Sequence, residues 1–336
     1  MTGRLLPPVD EVLAHAQVVS VPLSVRFRGV RHREAVLLQG PAGWGEFAPF
    51  TEYPDDEAAW WLAAGLEAAY RGLPAPVREA VEVNATVPAV PADQVPDVLA
   101  RFDGCTTVKI KVAEAGQSSA EDVARVARVR EVLGASAHLR VDANGGWAPA
   151  EAYRVLSDLA GFGLQYAEQP CATVPELIEL REMLRSNGIR VRLAADESIR
   201  KAADPLAVAR TGAVDVAVVK VAPLGGVRRV LELAAELARL GVQIVVSSAI
   251  DTSVGLAAGV RAAACLSEPP LACGLATASL LGDDVVDESL AAAGGIIQVR
   301  DVQPDPRRLE RLRAPAQRER WWQERVRRCH RLLASC

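Results

Sequence analysis

Apolar and polar positions follow two periods along this chain, and the two periods take turns. Between about residues 80 and 280, short strand-like runs recur: VEVNATV (81–87), TVKIKV (107–112), HLRVDAN (138–144), LQYAEQP (164–170), VRLAADE (191–197), VDVAVVKVA (214–222), VQIVVSS (242–248) and LACGLAT (271–277). They are separated by segments of helical period such as EDVARVARVREVLG, PELIELREMLRSNG and VRRVLELAAELARLG, each closing with the glycine expected just past a helix C-terminus. Eight such units predict an α/β fold and suggest a TIM-type barrel, although an open doubly wound sheet shares the alternation.

The flanks break the pattern. Residues 1–80 hold strand-like stretches (SVRFRG, EAVLLQG), a glycine- and aromatic-rich loop, GPAGWGEFAPFTEYP, and an Ala-rich helix, EAAWWLAAGLEAAYRG, which read as a separate α+β unit. Residues 81–280 form the barrel region, and residues 281–336 are expected to pack on both. Near the end, Trp322, Val326, Cys329 and Leu333 recur at spacings of four, three and four, which predicts an amphipathic helix docked by that stripe.

Composition narrows the function. Half of the 336 residues are apolar, so a large core is available, and a net charge of −4 gives no overall basic field for nucleic acid. The one basic stretch, with ten arginines against three glutamates from Arg307 to Arg331, reads as the solvated face of the terminal helix. The six cysteines (Cys105, Cys171, Cys265, Cys273, Cys329, Cys336) form no C-x-x-C and no zinc-like cluster with histidine. With no long uncharged apolar run and no leader-like start, the expectation is a cytoplasmic protein without membrane insertion.

The chemistry is concentrated at strand ends. In TTVKIKV, Lys109 and Lys111 share one face of a strand while Val108, Ile110 and Val112 share the other. An edge strand facing solvent would explain such lysines, but the following strands end in Asp142, Glu168, the pair Asp196 and Glu197, and Lys220. From Lys111 to Asp142, Glu168, Asp196 and Lys220 the steps are 31, 26, 28 and 24 residues, each about one βα unit. In a barrel these ends converge on one mouth. A single such acid could be a helix N-cap; three in register form a hard oxygen site suited to Mg2+, with Mn2+ as a substitute, whereas calcium gathers more ligands. Inside the barrel beside a cation, like charge and burial would lower an ammonium pKa toward roughly 7–8, where lysine can take a proton from carbon. With Lys220 on the opposite wall, the set would bind a small-molecule carboxylate and remove its α-proton to give an enediolate.

The strings K-I-K, D-A-N, E-Q-P, D-E-S and K-V-A-P-L-G-G, in that order, resemble the muconate-lactonising-enzyme subgroup of the enolase superfamily over nearly the whole chain. The resemblance implies a modified (β/α)7β barrel under an α+β capping domain completed by the C-terminal segment. It implies Asp142, Glu168 and Asp196 as Mg2+ ligands and Lys111 and Lys220 as the acid/base pair. Lys109 then supports Lys111 or touches the substrate carboxylate, and Asn144 and Glu197 stand behind the ligands. Gly225 and Gly226 let backbone approach the ligand or form the turn before a helix, and Ser247 and Ser248 touch substrate or make ordinary strand-end bonds. In SSAIDTSVGL, Asp251 and Thr252 stand where Glu and Ser are common in the subgroup.

The loop GWGEFAPFTEYPDDEAAWWL resembles that of actinobacterial dehydratases of menaquinone biosynthesis in this subgroup. The implied reaction is syn dehydration of a succinyl-bearing hydroxycyclohexadiene carboxylate. Gly43, Gly45, Phe47, Phe50 and Tyr53 would close over the mouth and select the succinyl group, or would pack between domains. Racemisation of N-acyl or N-succinyl amino acids, dipeptide epimerisation and muconate-type cycloisomerisation use the same half-reaction. A silent binding barrel would tolerate loss of ligands or lysines, and none is missing.

Overall fold

In the N-terminal region the alternation becomes a three-stranded antiparallel sheet, β1 (Ala16–Phe27), β2 (Val30–Gly40) and β3 (Gly43–Phe47), covered by a helix at Asp55–Leu66. The computed structural model describes residues 6–27, 30–200 and 204–335, so Cys336, the first five residues and the end of SVRFRG lie outside the described residues. Register places Val18 and Phe47 on either side of Val36, and all three are buried in one core with Trp61 and Leu62 of the helix. Sheet and helix approach closely because Gly45 faces Gly65: a Cβ on Gly45 would lie 2.0 Å from the Gly65 carbonyl oxygen. Asp55, Asp56 and Glu57 fill the first helical turn, where the macrodipole favours acids.

The C-terminal helix, Ala316–Ala334, delivers Trp322, Val326, Cys329 and Leu333 into this same core, as their spacing predicts. Trp322 stands edge-on to Phe47 with ring centres 5.7 Å apart. Several of its arginines meet acids of the N-terminal unit: Arg318 pairs with Glu34, Arg327 with Asp10 and Arg328 with Asp55.

The barrel sheet departs from the expected eight strands. VEVNATV splits at Asn84 into β4 (Ala80–Glu82) and β5 (Ala85–Val87). The others are β6 (Thr107–Lys111), β7 (His138–Asp142), β8 (Leu164–Glu168), β9 (Leu193–Ala195), β10 (Val216–Lys220) and β11 (Gln243–Ser247). Strands β5 to β11 form one parallel sheet in chain order, while β4 pairs antiparallel with β12 (Ile296–Gln298). LACGLAT is not a strand; single parallel bridges from Cys273 to Val83 and from Gly274 to Ser247 link the two edges of the sheet. Gly274 explains part of this, since it packs against Ser247 so tightly that a Cβ would meet Oγ at 2.7 Å, and glycine weakens a strand interior. The crossover helices Ser119–Leu133 and Val174–Ser186 begin with reciprocal capping boxes, Ser118 with Glu121 and Thr173 with Glu176. Among the described residues no helix is long and apolar enough to cross a membrane.

Candidate active site

Period-two alternation decides what enters the barrel. Val108, Ile110 and Val112 are buried in the large core shared with the crossover helices, which turns Lys109 and Lys111 to the barrel interior. On the next strands the same parity points Arg140 and Asp142, Tyr166 and Glu168, and Val218 and Lys220 inward. Tyr166, Ala194, Val216, Val218 and Val245 form a separate small cluster that fills the barrel beneath the mouth. Lys111, Asp142 and Glu168 are register partners at the ends of β6, β7 and β8. Asp196 follows β9 directly, and Lys220 ends β10, four strands along the sheet from Lys111 on β6.

The charged groups bind one another tightly. Lys111 Nζ donates to Asp142 Oδ2 and to Asn144 Oδ1, both at 2.6 Å. Lys109 Nζ lies 3.0 Å from the same Asp142 oxygen and 3.1 Å from Glu168 Oε1. Lys220 Nζ reaches both oxygens of Asp196, at 2.5 and 2.6 Å. Asn144 also donates twice more, through its side-chain amide to Glu197 Oε1 at 3.2 Å and through its backbone amide to Asp142 Oδ1 at 3.1 Å. Asn144, exposed at the rim, thus joins Lys111 and Asp142 to Glu197. Gln169, which the sequence reading missed, links two strand ends: its Oε1 accepts from the backbone amides of Asp196 and Ser198, each at 3.1 Å.

Electrostatics follow from this packing. Burial opposes ionisation of Asp142, but Lys109 and Lys111 outweigh it and hold the carboxyl below its ordinary range. Asp196 is likewise lowered, with Lys220 outweighing burial. Glu168 is pushed up to about 7 by burial and then by repulsion from Asp142, with Asp196 adding to it. At Lys109 the expected depression is reversed: burial acts downward, but Glu168 and Asp142 hold the ammonium well above its usual value. Among the described residues no group of three carboxylate, imidazole or thiol side chains stands close enough to hold an ion, because Asp142, Glu168 and Asp196 are drawn onto lysines. The donor set still fits a hard divalent cation, since it is all oxygen, mutually repulsive, and leaves the buried Glu168 Oε2 with no hydrogen-bond partner.

The other residues singled out by the sequence have contacts of their own. Ser247 and Ser248 hydroxyls both point to the Gly274 carbonyl at 3.3 Å, and Ser248 also meets the Thr277 hydroxyl at 2.7 Å. Gly225 and Gly226 take φ of 91° and 128° and form the turn before helix Val227–Arg239. There a Cβ on Gly226 would strike Glu67, whose carboxylate accepts from the Val227 amide at 2.5 Å. Gly43, Gly45 and Phe47 belong to β3 and not to a loop, and Phe47 is fully buried, so these three do not form a cover. Phe50 and Tyr53 pack edge to face, with Arg33 over Phe50 and Arg200 over Tyr53. Arg140 and Tyr166 were legible in principle, two positions before Asp142 and Glu168 on the same strand faces. Arg140 crosses the barrel to Asn84 Oδ1 at 3.0 Å and the Ala272 carbonyl at 2.6 Å, tying the irregular eighth segment to β7.

A parallel sheet that curls toward closure, an α+β cap and lysines facing carboxylates at the C-terminal strand ends define one class of protein: the chain belongs to the enolase superfamily. Residues 93–304 match the enolase C-terminal domain-like family and residues 18–69 the enolase N-terminal domain-like family. Its relatives include the o-succinylbenzoate synthase of Mycolicibacterium smegmatis, 53% identical over 98% of this chain and 99% of that one. The o-succinylbenzoate synthase of Mycobacterium tuberculosis is 52% identical over 98% of each chain. Among solved structures, muconate lactonizing enzyme from Pseudomonas fluorescens, complexed with muconolactone, superposes with a TM-score of 0.75 at 22% identity, covering 89% of this chain and 98% of that one.

Proposed function

We propose that this chain is an o-succinylbenzoate synthase, the lyase that removes water from 2-succinyl-6-hydroxy-2,4-cyclohexadiene-1-carboxylate to form 2-succinylbenzoate. The observation that carries the reading is the match at 53% identity over 98% of the chain to an enzyme of that name, supported by a mouth in which two lysines, Lys111 and Lys220, pair with strand-end carboxylates. Asp142, Glu168 and Asp196 would hold Mg2+, which when bound would neutralise charge developing on the substrate carboxylate.

The remaining steps belong to the chain's own residues. Lys111, as the free amine, takes the proton from C1 of the ring, and the electron pair enters the carboxylate to give an enediolate. The pair then returns, the C6–oxygen bond breaks, and the ammonium of Lys111 delivers its proton to the departing hydroxyl on the same face, so that water leaves and the ring becomes aromatic. Lys220 opposes it as a fixed positive charge. Lys109, between Asp142 and Glu168, holds those carboxylates in place. The Tyr166 and valine cluster below the mouth keeps water from entering from beneath.

The test is the purified protein with Mg2+, followed in the ultraviolet for loss of the cyclohexadiene and in parallel for α-proton exchange of N-succinyl amino acids in D2O. Metal-dependent loss of the diene is expected. Exchange without dehydration would replace this reading by an N-succinyl amino acid racemase.

A further inference from the structure

On the cap side of Lys220 the fold builds a second acidic group that the reaction leaves unused. Lys220 and Ser247 are register partners at the ends of β10 and β11. Four residues past Ser247, Asp251 sits in a turn where Ile250 takes φ of 58°, a strained value for a β-branched residue. Three contacts hold that turn. Asp251 Oδ2 accepts from the Ala249 amide at 3.2 Å, and Arg33 of β2 donates through Nε to the Ile250 carbonyl at 3.1 Å. Glu46 of β3 accepts from the Thr252 amide at 3.2 Å and from the Thr252 hydroxyl. Gly255 makes room for both acids, since a Cβ there would lie 2.6 Å from Glu46 Oε1 and 2.9 Å from Asp251 Cβ.

Lys220, Ser247, Asp251 and Glu46 line one cavity of about 30 Å³ between cap and barrel. Burial raises the Asp251 carboxyl above its ordinary range, while the cations of Arg33 and Lys220 act against that shift; Asp251 in turn raises the neighbouring carboxyl of Glu46. No carboxylate pairs with Lys220 in this arrangement except Asp196 among the described residues. That pairing conflicts with a cation's use of Asp196, because one carboxylate cannot serve both at full strength.

We propose that Asp251 is a positioning residue for Lys220: its carboxylate, carried on a turn that Arg33 and Glu46 of the cap bind at Ile250 and Thr252, is the second counter-charge that draws the ammonium away from Asp196 when a divalent cation takes that ligand. The cap thereby takes part in preparing the metal site without touching it. This rests on Asp196 being a cation ligand, and the experiment separates the two ideas. Mn2+ binding is measured by calorimetry, without substrate, for the parent, Asp251→Asn, Lys220→Met and the double variant. Asp251→Asn is expected to weaken Mn2+ about tenfold in the parent and to change it less than about twofold in the Lys220→Met background, as coupled neighbours do. Asp251→Glu is expected to restore the parent affinity. Equal losses in both backgrounds would mean that Asp251 acts on the ion directly and would overturn the proposal, as would unchanged affinity in Asp251→Asn. A parent that binds no Mn2+ would overturn the ligand assignment itself. Asp251→Ser completes the same cycle if Asp251→Asn does not melt cooperatively.

Discussion

Lys109 and Lys111, two residues apart on β6, converge on a single oxygen, Oδ2 of Asp142, at 3.0 and 2.6 Å. The two are nonetheless unlike. Lys109 also bonds Glu168 and is only 14% exposed, while Lys111 is 25% exposed and bonds Asn144 at the rim. Under the proposed function the more exposed rim lysine, Lys111, is the one that meets substrate.

Lys111→Ala should therefore abolish dehydration, and Lys111→Arg should not restore it, because a guanidinium stays protonated and cannot act as a base. Turnover of Lys111→Ala near the parent rate in the diene assay would exclude this role.

Lys220→Arg keeps a positive charge opposite Lys111 and should retain part of the dehydratase activity. It should remove any racemisation, which needs a proton donor or acceptor on that face. Proton exchange of N-succinyl amino acids in D2O reads this directly, and normal racemisation by Lys220→Arg would show that this position needs only a positive charge and exchanges no proton with substrate.

Chelation with EDTA should stop activity, and Mg2+ or Mn2+ should restore it. Asp142→Asn, Glu168→Gln and Asp196→Asn should each lose it. Glu168→Gln also replaces an unpartnered buried oxygen by an amide and should be checked for Mn2+ binding as well as rate. Full activity in a metal-stripped sample would remove the metal from the mechanism.

Glu46 links pH to stability. Its carboxyl is pushed up to about 8, first by burial and then by Asp251. The folded state therefore keeps a proton that the unfolded chain, with an ordinary glutamate value, releases. That contribution is complete below the usual glutamate range and is lost as pH rises toward about 8. Glu46→Gln cannot release a proton there, so its melting temperature should fall less than the parent's between about pH 5 and 8. Parallel curves for the two proteins would refute the assignment.

Glu67 fastens the cap to the N-terminus of helix Val227–Arg239. Glu67→Ala should cost about 1–2 kcal/mol, the usual worth of an N-terminal cap, and Gly226→Ala should cost at least as much because its φ is 128° and the carboxylate is in the way. Denaturant melts measure both. A Gly226→Ala protein as stable as the parent would mean that the turn relaxes freely.

Much of the site was legible in the sequence because period-two parity and βα spacing are local properties. They identified Lys111, Asp142, Glu168, Asp196 and Lys220 as strand-end groups on one side of one sheet, and helical spacing identified the docked stripe of Trp322, Val326, Cys329 and Leu333. What the tertiary structure alone decided is how distant segments meet. LACGLAT has the composition of a strand, yet Gly274 lies so close to Ser247 that only single bridges form. Phe47 reads as part of an aromatic loop, yet pairing of Gly45 with Leu38 draws it into the cap core. Glu46 and Glu67 look like surface acids in an N-terminal unit, but they lie 206 and 160 residues before the amides they bind, at Thr252 and Val227. No local pattern encodes such contacts, because they depend on the rigid docking of two separately patterned units, and burial at that junction sets the ionisation of Glu46.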